Sequence, residues 1–88
     1  MTAKVEIYTS PFCGYCHRAK RLLEEKGVVY NEFDILMDGA KRTEMTARAK
    51  GRTTVPQIFI DGHHVGGYEE LRALERDGSL DAKLAGSA

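Results

Sequence analysis

The sequence predicts an α/β fold: a mixed four-stranded sheet flanked by helices, in the order β-α-β-α-β-β-α. Three observations predict it. Short apolar, extended-type segments are separated by longer segments with helical periodicity. The opening strand-helix-strand implies a right-handed crossover and therefore a parallel pair. Asp61-Gly62, between two later extended segments, is a hairpin signal and adds an antiparallel pair. The 88 residues are enough for one domain, expected over 1–88.

Each element has its own signal. Residues 4–8 put Val5 and Ile7 on one face with Glu6 between them, a short strand. Residues 9–14 hold Ser10, Pro11 and Gly14 and read as a loop. From Tyr15 the period becomes helical, with Ala19, Leu22, Leu23 and Lys26 on one side. Gly27 is a helix stop. Residues 28–35 favour extended backbone through Val28, Val29, Tyr30 and Phe33. Asp38-Gly39 opens a second helix that runs to about Lys50, with Met45 and Ala49 inward and Gly51 as its end. Residues 57–61 form the third strand, and 63–65 return after the hairpin turn. Gly66-Gly67 breaks the strand, and 68–76 is helical with Leu71 and Leu74 as its apolar pair. Gly78 stops that helix. Ser79 is expected to cap a last short helix carrying Leu80 and Leu84, with Gly86-Ser87-Ala88 fraying beyond it.

Composition narrows the function. Lys and Arg total 13, as do Asp and Glu, so the formal net charge is zero. A zero balance supplies no field to attract nucleic acid or an anionic membrane, and neither is expected as a partner. No stretch approaches the ~20 apolar residues of a membrane span. The first residues lack a basic segment followed by an apolar run, so a cytoplasmic location is expected. Thiols are kept mostly reduced there. The two cysteines, Cys13 and Cys16, would close too small a loop to constrain the unfolded chain. A close pair in that setting reads as redox chemistry or metal binding.

The spacing of Cys13-Gly14-Tyr15-Cys16 puts Cys13 in the loop and Cys16 in the first helical turn. Unpaired N–H groups and the positive end of the helix dipole stabilise a thiolate at that point. Cysteines so placed fall from about 8.5 into a range of roughly 3.5–7.5, and the thiolate is the nucleophile. Arg18 and Lys20 are expected to add a smaller, screened attraction. Cys13 is thus the attacking residue and Cys16 the resolving one. Two competing chemistries share these residues. Cys13-Gly14-Tyr15-Cys16-His17 matches the C-x-x-C-H haem attachment pattern. Structural zinc needs four ligands, and His17, His63 and His64 are the available completions. The strand-loop-helix context favours the redox thiol over both, with His63 and His64 read as exposed residues after a hairpin.

Two further segments each admit a ligand-binding reading beside an ordinary structural one, which the second segment by itself favours. Thr54-Val55-Pro56 precedes a strand; the proline suits a cis bond, and the Val55 backbone groups are free for an extended peptide-like ligand. An ordinary strand-entry proline explains the segment equally well. Gly66-Gly67-Tyr68-Glu69-Glu70 opens a helix whose N-terminus suits a carboxylate, although Glu69 and Glu70 are also ordinary helix-starting residues.

Together these residues resemble a glutaredoxin of the dithiol class. The resemblance runs from Val5 to Leu84. It rests on Cys13-Gly14-Tyr15-Cys16, on Thr54-Val55-Pro56 followed by Gln57-Ile58-Phe59-Ile60, and on Gly66-Gly67. It implies a thioredoxin fold with Pro56 cis. It implies glutathione as co-substrate, and disulfide-containing or glutathionylated proteins as partners. By position it implies Cys13 as nucleophile and Cys16 as resolving thiol, with Tyr15 beside the sulfur. Thr54, Val55 and Pro56 would take the cysteinyl part of glutathione. Gly67, Tyr68 and Glu69 would take the γ-glutamyl end, and Arg42 the glycine carboxylate.

The sequence departs from the common pattern in three ways. Gly14 stands where many relatives have Pro, and Ser10 where many have Lys; Glu69 and Glu70 stand where Asp is frequent. Relatives with a small residue at the position of Gly14 include carriers of a [2Fe–2S] cluster. There the cluster lies between two subunits and is held by thiolates of the Cys13 type and two glutathiones. The resemblance therefore implies a monomeric oxidoreductase, with a cluster-bound dimer as the alternative.

Overall fold

The structure, a computed structural model, describes residues 3–86. Its elements are β1 (Val5–Thr9), α1 (Gly14–Glu25), β2 (Tyr30–Asp34) and α2 (Gly39–Arg48), then β3 (Gln57–Ile60), β4 (His63–Gly66), α3 (Tyr68–Asp77) and α4 (Ser79–Leu84). The sheet order is β2-β1-β3-β4. β1 pairs parallel with β2 and antiparallel with β3, and β3 pairs antiparallel with β4. The crossover and the hairpin expected from the sequence are both present.

The boundaries differ from the sequence reading in several places. β3 ends at Ile60, because Asp61 takes left-handed backbone in the turn, and β4 runs on through Gly66, which pairs with Ile58 rather than breaking the strand. β2 starts at Tyr30 rather than Val28, because the ladder begins where Tyr30 meets Val5. Val29 suits a strand by propensity but stands 90% exposed. α2 ends at Arg48 because Lys50 and Gly51 both take left-handed backbone, φ 57° and 91°, and turn the chain. Ser79 is not a cap. It is the first residue of α4, and its N–H and hydroxyl both donate to Asp77 Oδ1, at 2.8 and 2.6 Å. The expected fraying of Ser87 and Ala88 lies outside the described residues.

Strand alternation divides the core in two. Val5, Ile7, Ile58 and Ile60 face α1, α3 and α4, where Ala19, Leu23, Leu71, Leu80 and Leu84 meet them. Tyr8 and Phe59 face α2, where they pack with Met45, Ala49 and Ile35. α2 begins where the Asp38 carboxylate accepts from the Ala40 and Lys41 N–H groups, a cap worth about 1 kcal/mol.

The register positions the site. Thr9 lies beside Asp34, and Tyr8 opposite Gln57. The end of β1 and the start of β3 therefore meet at one end of the sheet. The loop carrying Cys13 and the segment carrying Thr54-Val55-Pro56 both leave from there.

Candidate active site

Cys13 is the N-cap residue of α1, with extended backbone. Its Sγ accepts the Cys16 N–H at 3.1 Å. One orphan donor of the helix start is thus spent on the sulfur. Cys13 is half-buried, and its thiol donates to the Val55 carbonyl at 3.6 Å. Cys16 is fully buried on the inner side of α1. Burial pushes the Cys16 thiol up to about 12, with its hydrogen bond to Cys13 as the next cause. The two thiols therefore differ in kind: one sits at the surface on a helix dipole, and the other is protonated and enclosed.

Beside Cys13 lies a cleft of about 150 Å³. Tyr15, Thr54, Val55, Pro56, Gly67, Tyr68 and Glu69 line it, together with Arg52 and Glu70. Three chain segments build it. The turn before β3 supplies Thr54-Val55-Pro56, with a cis peptide bond between Val55 and Pro56. The start of α3 supplies Gly67, Tyr68 and Glu69. α1 supplies Tyr15, which is 55% exposed and stacks on Tyr68, ring centroids 6.1 Å apart. The Arg18 guanidinium lies 5.6 Å from the Tyr15 ring on the same helix. Two larger hollows, of about 510 and 740 Å³, are lined by neither Val55, which Cys13 touches, nor Tyr15.

The glycines before α3 have separate reasons. Gly66 has φ 118°, and a Cβ there would stand 2.3 Å from Glu70 Oε1. That oxygen accepts the Gly67 N–H at 2.8 Å and the Arg52 guanidinium at 2.8 Å. The Gly67 N–H and Arg52 hold the Glu70 carboxyl below its ordinary range. Gly67 is approached by the Pro56 carbonyl, which joins the two walls of the cleft.

Most residues named from the sequence meet here, but not all. Arg42 is exposed on α2 and does not line the cleft. The guanidinium in the cleft belongs to Arg52, which the Lys50-Gly51 turn delivers. Its only sequence signal is a cation just ahead of Thr53-Thr54-Val55-Pro56. Lys20 is committed to Glu32 at 2.9 Å. Burial opposes ionisation of Glu32, but the Thr9 hydroxyl and Lys20 together keep its carboxyl below the usual range. His17 Nε2 lies 3.4 Å from the Pro11 carbonyl. His64 is half-buried rather than exposed, and stacks on Phe59. Phe12, one residue before the thiol, is 91% exposed.

A surface thiol at a helix N-terminus, a buried partner thiol one turn on, and a cleft with open backbone define a thiol–disulfide oxidoreductase. Comparison with known proteins makes the class specific. The glutaredoxin family model matches residues 5–65. Glutaredoxin 3 of Escherichia coli is 57% identical over 82 residues, covering 93% of this chain and 98% of that protein. The solution structure of a glutaredoxin from Brucella melitensis is 50% identical. It matches with a TM-score of 0.83 over 96% of this chain and 90% of its own. The crystal structure of a buckwheat glutaredoxin–glutathione complex is 29% identical. Its TM-score is 0.84 over 93% of this chain and 76% of its own. The chain belongs to the glutaredoxin family and has the thioredoxin fold. Among the described residues, no helix is long and apolar enough to cross a membrane.

Proposed function

We propose that this protein, as a single domain over 1–88 in the cytoplasm, uses glutathione to reduce protein disulfides and glutathionylated proteins. The observation that carries the reading is the half-exposed Cys13 Sγ. It is held by the Cys16 N–H and lies 3.6 Å from the Val55 carbonyl, beside the cleft that Val55 lines. Cys13, as thiolate, attacks the glutathione sulfur of a mixed disulfide. The S–S bond breaks, the protein leaves as its thiol, and glutathione stays on Cys13. A second glutathione then attacks, releasing glutathione disulfide and regenerating Cys13. For a protein disulfide, Cys16 instead resolves the mixed disulfide between Cys13 and the protein, leaving a Cys13–Cys16 disulfide for glutathione to reduce. The high pKa of Cys16 keeps it out of the first attack.

The cleft supplies the ligand contacts. The Val55 backbone pairs with the cysteinyl part of glutathione, between Thr54 and Pro56, and Tyr15 covers the sulfur. The start of α3, with Gly67, Tyr68 and Glu69, faces the γ-glutamyl carboxylate with helix N–H groups. Arg52 is the cation placed for the glycine carboxylate, in preference to Arg42. The test is turnover of a glutathionylated peptide. Cys13→Ser loses it by roughly 10³-fold or more, whereas Cys16→Ser keeps it and loses dithiol disulfide reduction. Full turnover without Cys13 overturns the reading.

A second reading is carriage of a [2Fe–2S] cluster by a dimer. Open space beside Gly14 and the half-exposed Cys13 favour it, since a second copy's thiolate can approach there. No group of three or more His, Cys, Asp or Glu among the described residues is arranged to hold a metal. Cys13 of each copy and two glutathiones would therefore supply the ligands. Anaerobic reconstitution with iron, sulfide and glutathione gives a coloured dimer on this reading, and a colourless monomer contradicts it.

A further inference from the structure

Gln57 is a polar residue with no exposed surface, at the first position of β3. Such a side chain must find partners inside the protein. Its amide nitrogen donates to the Thr54 carbonyl at 3.0 Å and approaches the Thr54 hydroxyl at 3.3 Å. A carbonyl only accepts, so this contact fixes which end of the amide is nitrogen. The amide oxygen then faces His64 Nε2 at 2.6 Å. An amide oxygen also only accepts, so Nε2 carries the proton and donates. A bulge brings His64 there. Val65 has no opposite partner, which sets His64 against Phe59 on the face that Gln57 shares. The His64 ring stacks on Phe59 with centroids 5.0 Å apart.

The consequence falls on the next peptide group. The Thr54–Val55 bond is trans, so its C=O and N–H point in opposite directions. Gln57 holds the C=O inward. The Val55 N–H is thereby turned outward, in the segment that lines the cleft, and it has no hydrogen-bond partner among the described residues. We infer that Gln57, held by His64, is a positioning residue that fixes the Thr54–Val55 peptide plane and presents the Val55 N–H to a peptide ligand. This rests on the proposed glutathione reading, since it concerns the backbone donor that reading uses. Leu at position 57 cannot hold the carbonyl, and a Glu carboxylate cannot donate to it.

The test measures KM and kcat for a glutathionylated peptide, together with the rate at which iodoacetamide alkylates Cys13. Gln57→Glu and Gln57→Leu raise KM about tenfold, with kcat and alkylation within about twofold of wild type, the pattern of lost uniform binding. His64→Leu raises KM about threefold, and His64→Gln, which restores an N–H donor, recovers most of it. An unchanged KM in the Gln57 variants, with normal wild-type turnover, overturns the inference and leaves the glutathione reading intact. A parallel fall in kcat and alkylation also overturns it, because that is general loosening of the fold. Absence of wild-type turnover on the glutathionylated peptide overturns the reading and the inference with it. If the Gln57 variants do not fold, the His64→Leu and His64→Gln pair decides on the same readouts.

Discussion

Arg48 and Arg52 stand four residues apart, and each meets a carboxylate, but in different settings. Arg48 closes α2 and lies over the sheet. It donates to both oxygens of Glu6, at 2.9 and 3.3 Å, and to the Tyr8 hydroxyl at 2.8 Å. Its guanidinium stands 4.1 Å from the Phe59 ring centroid. Tyr8 passes its own proton bond to Glu44, and Lys41 completes the set. Arg52 has one carboxylate partner, Glu70, with both side chains nearly half exposed at the cleft. Around Arg48 the polar groups are used by the protein itself. Around Arg52 the Val55 N–H has no partner among the described residues, and the start of α3 is open to the cleft. The first region holds the fold, and the second leaves backbone groups facing the cleft.

Gly66→Ala breaks the second region hardest. The new Cβ collides with Glu70 Oε1 on a backbone of φ 118°, so the carboxylate leaves both the Gly67 N–H and Arg52. Strain and the lost cap together cost about 2–4 kcal/mol. A urea midpoint reads that loss, and KM for a glutathionylated peptide rises in the same variant. Arg48→Met tests the first region. It leaves the largely buried Glu6 carboxylate unpaired and costs about 1–3 kcal/mol, after discounting for partial exposure. Turnover per folded molecule is unchanged; a fall in kcat would break the division between the regions.

The smallest effect is the pH dependence of Glu70. Its folded pKa lies below the ordinary 4.5. A lowered carboxyl pKa adds stability above the unfolded value and loses it as pH falls through the folded one. Solvent screening at this exposed pair limits the effect to less than about 1 kcal/mol. The stability gap between wild type and Glu70→Gln is therefore present at neutral pH. It closes below about 4.5. Denaturant melts at several pH values check this, and a gap that persists in acid contradicts it.

The comparison also explains what the sequence reveals. Val5 and Ile7, the helical period after Tyr15 and the Asp61-Gly62 turn encode their elements locally, and the sheet followed from them. The cysteine pair, Thr54-Val55-Pro56 and Gly66-Gly67 are local motifs as well, and they mark the candidate site. Arg52 was missed because its place depends on two consecutive left-handed residues, one of them Lys50, a type that rarely adopts that backbone. Arg42, proposed from its position on the second helix, does not line the cleft. Gln57 gives no local hint of its role, which needs a bulge in the facing strand to bring His64 across. Val29 shows the converse: a strand-forming residue without a pairing partner stays outside the sheet.

The central claim is the division of labour between the two thiols, and intact-mass analysis after brief exposure to glutathione disulfide tests it most directly. Cys16→Ser takes up one glutathione, located on Cys13 by peptide mapping, and releases it on addition of reduced glutathione. Cys13→Ser takes up none, because its remaining thiol is buried and protonated. Rapid glutathionylation of Cys16 in Cys13→Ser, with turnover retained, would contradict the assignment.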